Sequence, residues 1–584
     1  MTGFLHIGLV NLAGKALEIQ LELDGTVGSL KSKVAQSHWQ IPPKCQQLIL
    51  QGVILKEDEA QLAAYCENQD NPALSLLLVV SICAVRQDLE SGDPKLQETA
   101  LTQLAGLGPL GGPDALSLAR AFVANRRRGI RCSALEAMAS VAEQGNDEAL
   151  QVLARSLEDI DLQVKMVAAK AFAHVAGKGA GNAAAMSKVV PLLNGRNAGV
   201  RKAALAAFVD MATEGDYHAI DTTIAMLEDD DHSVREFTVE HIDKVAGKGN
   251  QEAIKAVTQC LEHPRYFIRQ VAIGALAKIV ERGDEYALEL VLARRWHDDE
   301  GIRAAVVQAM SLVFAQENEN AISVLAEYLE DPSACVRIAA IRGLAMCARK
   351  NCTEALPLVI TRLKDTDQCV KVVAIQTLAV MAEKGHDLVV KSLIDLEDSS
   401  ASVREASILA LADVAAQGDA RVIARAASCL QDMELCVRQA AMNSFAVLVE
   451  KGDQNAVDAV SACLHHTADC TRQVALGTLP RILVRGDDRL YSSVATLLKD
   501  PSDTVRWSAV MALATGAKVG DGRAVAAVLD CLEDSASIVR QAALEALPSI
   551  SAPGDVAAIR AVEAILEKGY SFQARLALSR LRTC

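Results

Sequence analysis

The sequence lacks several patterns that would assign it to a common functional class. Its 59 Lys and Arg residues are outnumbered by 74 Asp and Glu, which gives a formal net charge of −15. Sequence-independent nucleic-acid binding needs clustered basic residues that displace counterions, so this charge argues against it. No P-loop, G-x-S-x-G or kinase signature occurs. An acidic chain would attract basic partners or simply remain soluble.

The 15 cysteines show no C-x-x-C pair and no regular Cys/His ligand spacing. We therefore expect reduced, free thiols, no metal and no cofactor. Three histidines, His263, His297 and His466, stand where most repeats described below have Asp. They fall in separate repeats, so we do not interpret them as metal ligands. We expect each His to replace the Asp at the helix end or in contacts between neighbouring repeats.

Long apolar runs are also missing. The stretch from Leu76 to Val85 is too short to cross a bilayer. The first residues lack the basic region and cleavage site of a secretory signal. We expect a soluble protein of the cytoplasm or nucleus.

A phrase of about 34 residues returns thirteen times between Ile130 and Arg540, and this period indicates a solenoid. Each copy is anchored by a base, which follows a branched aliphatic residue everywhere except at Thr471. The anchor bases are Arg131, Lys165, Arg201, Arg235, Arg269, Arg303, Arg337, Lys371, Arg404, Arg438, Arg472, Arg506 and Arg540.

Positions counted from the anchor base predict two antiparallel helices in each repeat. The residue three positions on is small and the residue seven positions on is large, as Ala340 and Leu344 illustrate, so both occupy one helix face. Fourteen positions on, eleven copies have Gly, which suits a left-handed C′ residue closing a helix. The Asp or Asn that usually follows, such as Asp453, would cap the next helix. That helix ends at an Asp six residues before the next base.

The phrase L-x-D-x-x-x-x-V-R-x-A-A-x-x-A-L resembles the HEAT repeat family of HEAT-like, armadillo-type α-solenoids, and the resemblance covers residues of about 96 to 584. Tetratricopeptide repeats share the period, but their Trp, Tyr and Pro positions are not filled here. The resemblance implies a ladder of Asp and Arg between repeats. Carried over to this chain, it pairs Asp331 with Arg337 and Asp500 with Arg506.

Residues 5 to 80 show alternating strands and one amphipathic helix. His6 to Val10 and Leu17 to Leu23 flank a hairpin turn at Gly14, the helix runs from Val27 to Gln36, and strands follow at 47–51 and 74–80. The elements L-x-G-K, T-V-x-x-L-K-x-K and I-P-P-x-x-Q-x-L-I-x-x-G, in this order, resemble ubiquitin.

The family's di-glycine tail is missing, so we expect no conjugated modifier. The family's recognition patch corresponds to Leu12, Ile49 and Leu77, but its basic surround is replaced by uncharged residues. The resemblance therefore implies docking to ubiquitin receptors. The alternative is that this fold only caps the open end of the solenoid.

The sequence thus predicts a mostly α fold. We expect a right-handed α-solenoid of about 13 two-helix HEAT-like repeats, preceded by a small α+β domain of the β-grasp, ubiquitin-like type. The predicted domains are residues 1–80 and 81–584, with a degenerate first solenoid unit at about 81–110 and a last unit at about 555–584.

Candidate binding residues lie one and five positions after the anchor base, on a face that should form the inner wall of the solenoid. Most copies have polar residues there, but five apolar residues occur: Ile338, Val372, Leu409, Trp507 and Met511. Contiguous exposed apolar groups mark interaction sites, and Trp is a common interface anchor. The competing interpretation buries Trp507 against the following repeat.

These observations favour a protein-interaction scaffold without catalytic activity, which binds a protein client and has no nucleic-acid or membrane partner. Its ubiquitin-like domain would dock ubiquitin or proteasome machinery. Two alternatives stay open: a HEAT-like enzyme or enzyme accessory, such as a lyase subunit, and an acidic transport receptor for basic cargo. The His-Glu dipeptides that hold iron in HEAT-like hydroxylases do not occur.

Overall fold

The computed structural model describes residues 4–13, 15–66, 73–178, 183–567, 569 and 572–583. By its internal contacts the chain divides into one unit of residues 1–281 and a second of residues 282–584. Helices dominate both units, and the first also contains a five-stranded sheet.

The first unit begins with this sheet and one helix. The strands are β1 (Phe4–Asn11), β2 (Ala16–Glu22), β3 (Gln46–Leu50), β4 (Val53–Ile54) and β5 (Ala73–Val80), and the helix is α1 (Val27–Gln36). The strand order is β2-β1-β5-β3-β4, with β5 parallel to β1. The predicted helix and long strands are confirmed, whereas the two-residue β4 is too short to show a pattern in the sequence. The predicted turn residue Gly14 lies outside the described residues.

The sheet is joined closely to the first helices that follow it. Only two residues separate β5 from α2, which begins at Cys83. The amide of Ser81 donates to the carbonyl of Cys45 (2.9 Å), and Lys44 forms an ion pair with Asp88. The small domain therefore sits directly on the helical part of its unit, without a flexible linker.

Helical pairs make up the rest of both units. In the first unit the helices are α2 (Cys83–Glu90), α3 (Pro94–Leu107), α4 (Gly112–Ala121), α5 (Arg128–Val141), α6 (Asp147–Ser156), α7 (Leu162–Ala176), α8 (Ala183–Leu193), α9 (Ala198–Met211), α10 (Tyr217–Ala225), α11 (His232–Ala246), α12 (Gln251–Gln259) and α13 (Tyr266–Ile279). In the second unit they are α14 (Glu285–Leu292), α15 (Glu300–Val313), α16 (Glu319–Glu327), α17 (Ala334–Cys347), α18 (Ala355–Thr361), α19 (Gln368–Met381), α20 (Asp387–Ile394), α21 (Ala401–Val414), α22 (Ala420–Cys429), α23 (Leu435–Leu448), α24 (Gln454–Cys463), α25 (Asp469–Ile482), α26 (Asp488–Val494), α27 (Asp503–Gly516), α28 (Gly522–Asp530), α29 (Ser537–Ile550), α30 (Val556–Glu567) and α31 (Phe572–Thr583).

The odd-numbered helices from α5 to α29 carry the anchor bases, and we call them the anchor helices. Within each unit they stack on one another, and the even-numbered helices pack behind them. Every residue three or seven positions after an anchor base is buried, as predicted. Small residues such as Ala340 allow close approach of the neighbouring helix, and large ones such as Leu344 fill the space between layers.

A ladder of ion pairs joins successive repeats. The Arg337 Nε and Nη2 donate to the Asp365 carboxylate of the next repeat, both at 2.8 Å. Its Nη1 donates to the backbone carbonyls of Asp331 and Pro332. The carboxylate lies 27 or 28 residues after the base in the other rungs too, which are Arg131–Asp159, Arg201–Asp229, Arg303–Asp331, Lys371–Asp398, Arg404–Asp432, Arg472–Asp500 and Arg506–Asp534.

The ladder exists as expected, but the pairing carried over from the family was wrong. Arg337 contacts only the backbone of Asp331, whose carboxylate binds Arg303 instead. Likewise the Asp500 carboxylate accepts a hydrogen bond from Arg472, and the Asp500 backbone carbonyl accepts one from Arg506. The carboxylate is turned toward the preceding repeat because it also accepts the amide two residues on, at Ser502 for Asp500.

A second ladder is formed by the backbone at the glycine positions. Gly452 adopts a positive φ of 91° and its amide donates to the carbonyl of Ile482 (2.6 Å), at the end of the next anchor helix. The same bond starts at Gly145, Gly215, Gly249, Gly283, Gly385, Gly418, Gly486, Gly520 and Gly554, and also at Glu317 and Asn351, where Gly is replaced. The left-handed conformation is confirmed, but its position at C′ was wrong. Helix α23 ends at Leu448, and Gly452 lies in the turn immediately before the N-cap Asp453.

Histidine interrupts the side-chain ladder. The His466 Nδ1 accepts the amide of Ala468 (3.1 Å), as an Asp carboxylate does elsewhere. Within the described part of the chain, however, the buried Nε of Arg438 finds no partner. In the first unit His263 interrupts the ladder in the same way, but there the Arg235 guanidinium lies 4.4 Å from the centre of the Phe267 ring.

Replacing His466 with Asp should therefore stabilise the second unit. The new carboxylate can accept hydrogen bonds from both the unpartnered Nε and the Nη2 of Arg438. This should raise the free energy of unfolding by about 1 to 2 kcal/mol. Urea unfolding and hydrogen exchange in α23 and α25 would measure it. His263→Asp is the matched control and should gain less, because Arg235 already stacks on an aromatic ring. Equal stability of His466→Asp and wild type would contradict this account.

Candidate functional site

An apolar groove crosses three anchor helices of the second unit, α23, α25 and α27. Its volume is about 540 Å³. The side chains that line it include Leu435 and Met442 of α23 and Trp507 and Met511 of α27. We call this the Trp507 groove.

The groove exists because its floor lacks a side chain. Gly477 lies five positions after its anchor base on the central helix, and a Cβ there would stand 3.2 Å from the Met442 sulfur. Met442 on α23 and Met511 on α27 form the two sides. Gly477 therefore opens a depression between neighbouring helices that a larger residue would fill.

Two of the five predicted wall residues meet in this groove. Trp507 and Met511 both line it, and Trp507 remains 39% exposed. Ile338 and Val372, on α17 and α19, are half-buried, and Leu409 on α21 is exposed, but none of the three lines the groove.

Other apolar residues of this surface were missed in the sequence. Met442 and Leu435 lie four positions after and three before their anchor base, outside the two positions considered. Nine positions after the base, Met346 and Val380 are exposed on adjacent anchor helices. Met346 and Val380 are one helical turn beyond the fifth position after the base, so including the ninth position would have found them.

The groove carries one formal charge. Arg481, at the end of its lining on α25, donates from Nη1 to the Asn443 side chain (3.0 Å). Gln439, Gln473 and Thr515 add neutral polar groups, and no carboxylate lines the groove.

The predicted patch on the N-terminal domain is part of a longer apolar row. Leu77 of β5 lies between Val10 of β1 and Ile49 of β3, and Ile49 pairs with Ile54 of β4. All four side chains are at least partly exposed on the same face of the sheet. Leu12, in the turn after β1, is 75% exposed.

The three substituted histidines do not converge. Each ring Nδ1 accepts an amide two residues on, from Arg265, Asp299 and Ala468. The histidines therefore replace the Asp as an acceptor in the turn, but they do not replace it as a partner of the anchor base in the ladder. In the described residues no group of three or more His, Cys, Asp and Glu is placed to hold a metal ion. Each cysteine described is a free thiol.

No helix among the described residues is both long and apolar enough to span a membrane.

The geometry defines the class of protein: a mostly helical chain of stacked helical pairs with an N-terminal β-grasp domain. Residues 220–311, 322–412 and 492–581 match the family model of HEAT repeats, and residues 7–79 match that of the ubiquitin family. The helical pairs in these three ranges are therefore HEAT repeats, and the N-terminal domain is a ubiquitin-family domain.

Three solved structures that are similar to this chain are 13 to 18% identical to it. Importin beta is 13% identical over 85% of this chain and 76% of its own, with a TM-score of 0.40. Kap121p, solved bound to Ste12p, is 13% identical over 85% and 64%, with a TM-score of 0.43. The Escherichia coli protein YibA is 18% identical over 46% and 93%, with a TM-score of 0.29. Comparison with curated protein sequences gives no match.

Proposed function

We propose that this protein is an interaction scaffold whose Trp507 groove binds a segment of a client protein. The observation that carries the proposal is the exposed indole of Trp507 beside Met442 and Met511, in a depression built by Gly477. A contiguous apolar surface left open on a protein marks an interaction site. Trp supplies a large share of the binding energy where such surfaces are covered.

The surroundings support binding more than catalysis. The groove contains no carboxylate, His or Cys in its lining, and its only ionisable group is Arg481. General acid–base or nucleophilic chemistry needs titratable groups that face each other in a cleft. In this proposal the protein therefore has no catalytic role of its own.

Replacement of Trp507 by Ala tests the groove. It should weaken client binding by about 2 kcal/mol or more, roughly 30-fold in Kd, with little loss of stability. Partners captured from cell extract by the full chain would be identified by mass spectrometry, and the purified partner titrated against both forms. Trp296→Ala is the matched control, because Trp296 is exposed in the same unit and outside the groove.

The competing account of Trp507 makes the opposite prediction. If its main role is packing, Trp507→Ala should cost about 3 to 5 kcal/mol of folding free energy. Denaturant unfolding of the variant separates the two accounts. A strongly destabilised variant would contradict the anchor role, as would unchanged client affinity.

The ubiquitin-family domain supplies a second candidate surface, which we propose docks ubiquitin receptors. The row formed by Val10, Leu77, Ile49 and Ile54 supports it, since the apolar side chains lie on the open face of the sheet. The close junction with α2 supports the alternative that the domain caps the end of the helical stack.

Ile49→Ala distinguishes these roles. If the row is a docking surface, the variant should lose binding to purified ubiquitin-receptor domains and melt within a few degrees of wild type, because an exposed residue contributes little to folding. Gln36→Ala, at an exposed position of α1 and outside the row, is the control. If even the wild-type chain binds none of these receptor domains, the docking role is contradicted and the capping role remains.

A further inference from the structure

The Trp507 groove has a direction set by its charge. Along α25 its lining runs from Gln473 to Arg481, eight residues or about 12 Å of helix. The apolar side chains surround Gly477 in the middle, and the guanidinium of Arg481 stands at one end. A ligand lying along this groove therefore meets apolar surface first and a positive charge at its end.

This positive charge has no carboxylate partner. Among the described residues, Arg481 contacts only the neutral side chain of Asn443. Arg485, four residues later and beyond the end of α25, donates to the backbone carbonyls of Ala517 and Ser549. It also forms no ion pair in the described residues. Arg485 does not line the groove and bonds to the repeats that follow, so the positive charge of the groove comes from Arg481 alone.

Three other exposed or half-exposed arginines of this unit are compensated. Arg421 pairs with Asp387 and Asp419, Arg489 with Asp487, and Arg523 with Asp488. In a chain with a net charge of −15, carboxylates are plentiful. Their absence around Arg481 gives this end of the groove the opposite sign to that of the protein as a whole.

We infer that the client segment carries one or two bulky apolar side chains and, at a constant spacing from them, an Asp or Glu. This rests on the proposed function of the groove. The apolar side chains cover Trp507 and Met511 above Gly477, and the carboxylate accepts hydrogen bonds from Arg481. Arginine binds carboxylates in a directional and often bidentate manner, so the charge fixes the direction of the segment. A basic client segment would be repelled at this end.

Peptide selection on the full chain tests the inference. A library of random 12-residue peptides, displayed without a free carboxyl terminus, is selected on the wild-type protein and depleted on Trp507→Ala. Enriched peptides are synthesised with amidated ends and titrated by fluorescence polarisation. We expect Asp or Glu at one spacing from an aromatic or aliphatic residue, and about tenfold weaker binding to Arg481→Gln. Arg421→Gln, an exposed arginine outside the groove, should bind as wild type.

The outcomes separate the inference from the proposed function. Peptides that need Trp507 but carry no acidic residue, or that bind Arg481→Gln as tightly as wild type, overturn the acidic client and leave the groove as a docking site. Enrichment of basic peptides overturns it in the same way and favours a basic client. If no peptide depends on Trp507, the docking function of the groove is overturned, and the acidic client with it.

Discussion

Replacing Arg337 with Ala should lower the free energy of unfolding of the second unit by about 3 kcal/mol. The substitution leaves the carboxylate of Asp365, which is almost fully buried, without its bidentate partner. It also removes the donor to two backbone carbonyls. Breaking one side of a buried ion pair costs far more than the pair contributes, because the remaining charge is desolvated and unpaired.

Urea unfolding and hydrogen exchange would measure the effect, which should be greatest in α17 and α19. Arg421→Ala is the control, since that side chain forms ion pairs with Asp387 and Asp419 but is more than half exposed. Exposed ion pairs contribute little to stability, so its midpoint should stay close to wild type. An Arg337→Ala midpoint equal to wild type would show that this rung does not hold the two repeats together.

The second unit should also lose stability progressively in acid. Hydrogen bonds donated by Arg404 hold the pKa of Asp432 below its usual value of 3.8, and those from Arg506 do the same for Asp534. At Asp500, burial raises the pKa, but the ion pair with Arg472 and the Ser502 amide more than offset it, and the net shift is downward. Asp331, Asp365 and Asp398 are shifted downward in the same way.

The sign follows from linkage. A carboxyl group whose pKa is lower in the folded state stabilises the fold above its unfolded pKa, and this contribution disappears as the pH falls through the folded value. The urea midpoint should therefore stay nearly constant from pH 7 to about pH 5 and fall steeply below about pH 4. The pKa values of six ladder carboxyl groups are shifted in the same direction, so the total loss of stability is expected to be large.

Asp534→Asn provides the control for the acid experiment. The variant should be less stable than wild type at pH 7, and the difference should shrink as the pH falls below about 4, because the wild-type carboxyl group then becomes protonated as well. A difference that stays constant over this range would show that Asp534 stabilises the fold through something other than its charge.

Much of the fold follows from the sequence because the same physical requirements recur in every repeat. Buried positions such as Ala340 and Leu344 follow from helical spacing alone, and left-handed residues such as Gly452 from the rarity of side chains in that conformation. The ladder partner does not follow in this way. Asp331 is six residues from Arg337 and Asp365 is 28 residues away, and only the stacking distance between repeats decides between them.

The candidate site was less predictable for a related reason. Trp507 and Met511 are one turn apart on one helix, so their proximity could be predicted. The groove also depends on Gly477 and Met442, which belong to two other helices. Spacing along the chain does not report how such side chains face each other across repeats.

The backbone ladder has a consequence for how this chain can change in length. Each such amide, for example that of Gly452, donates a hydrogen bond to a backbone carbonyl of the following repeat. The same bond recurs from repeat to repeat and does not depend on the side chains. Deleting or duplicating one whole repeat would bring an equivalent donor opposite an equivalent acceptor. Adding a single residue within a helix would instead displace every side chain after it by about 100° around the helix axis. Gene rearrangements that add or remove whole repeats of about 34 residues would therefore keep the backbone ladder intact. Such a protein could gain or lose binding surface in this way.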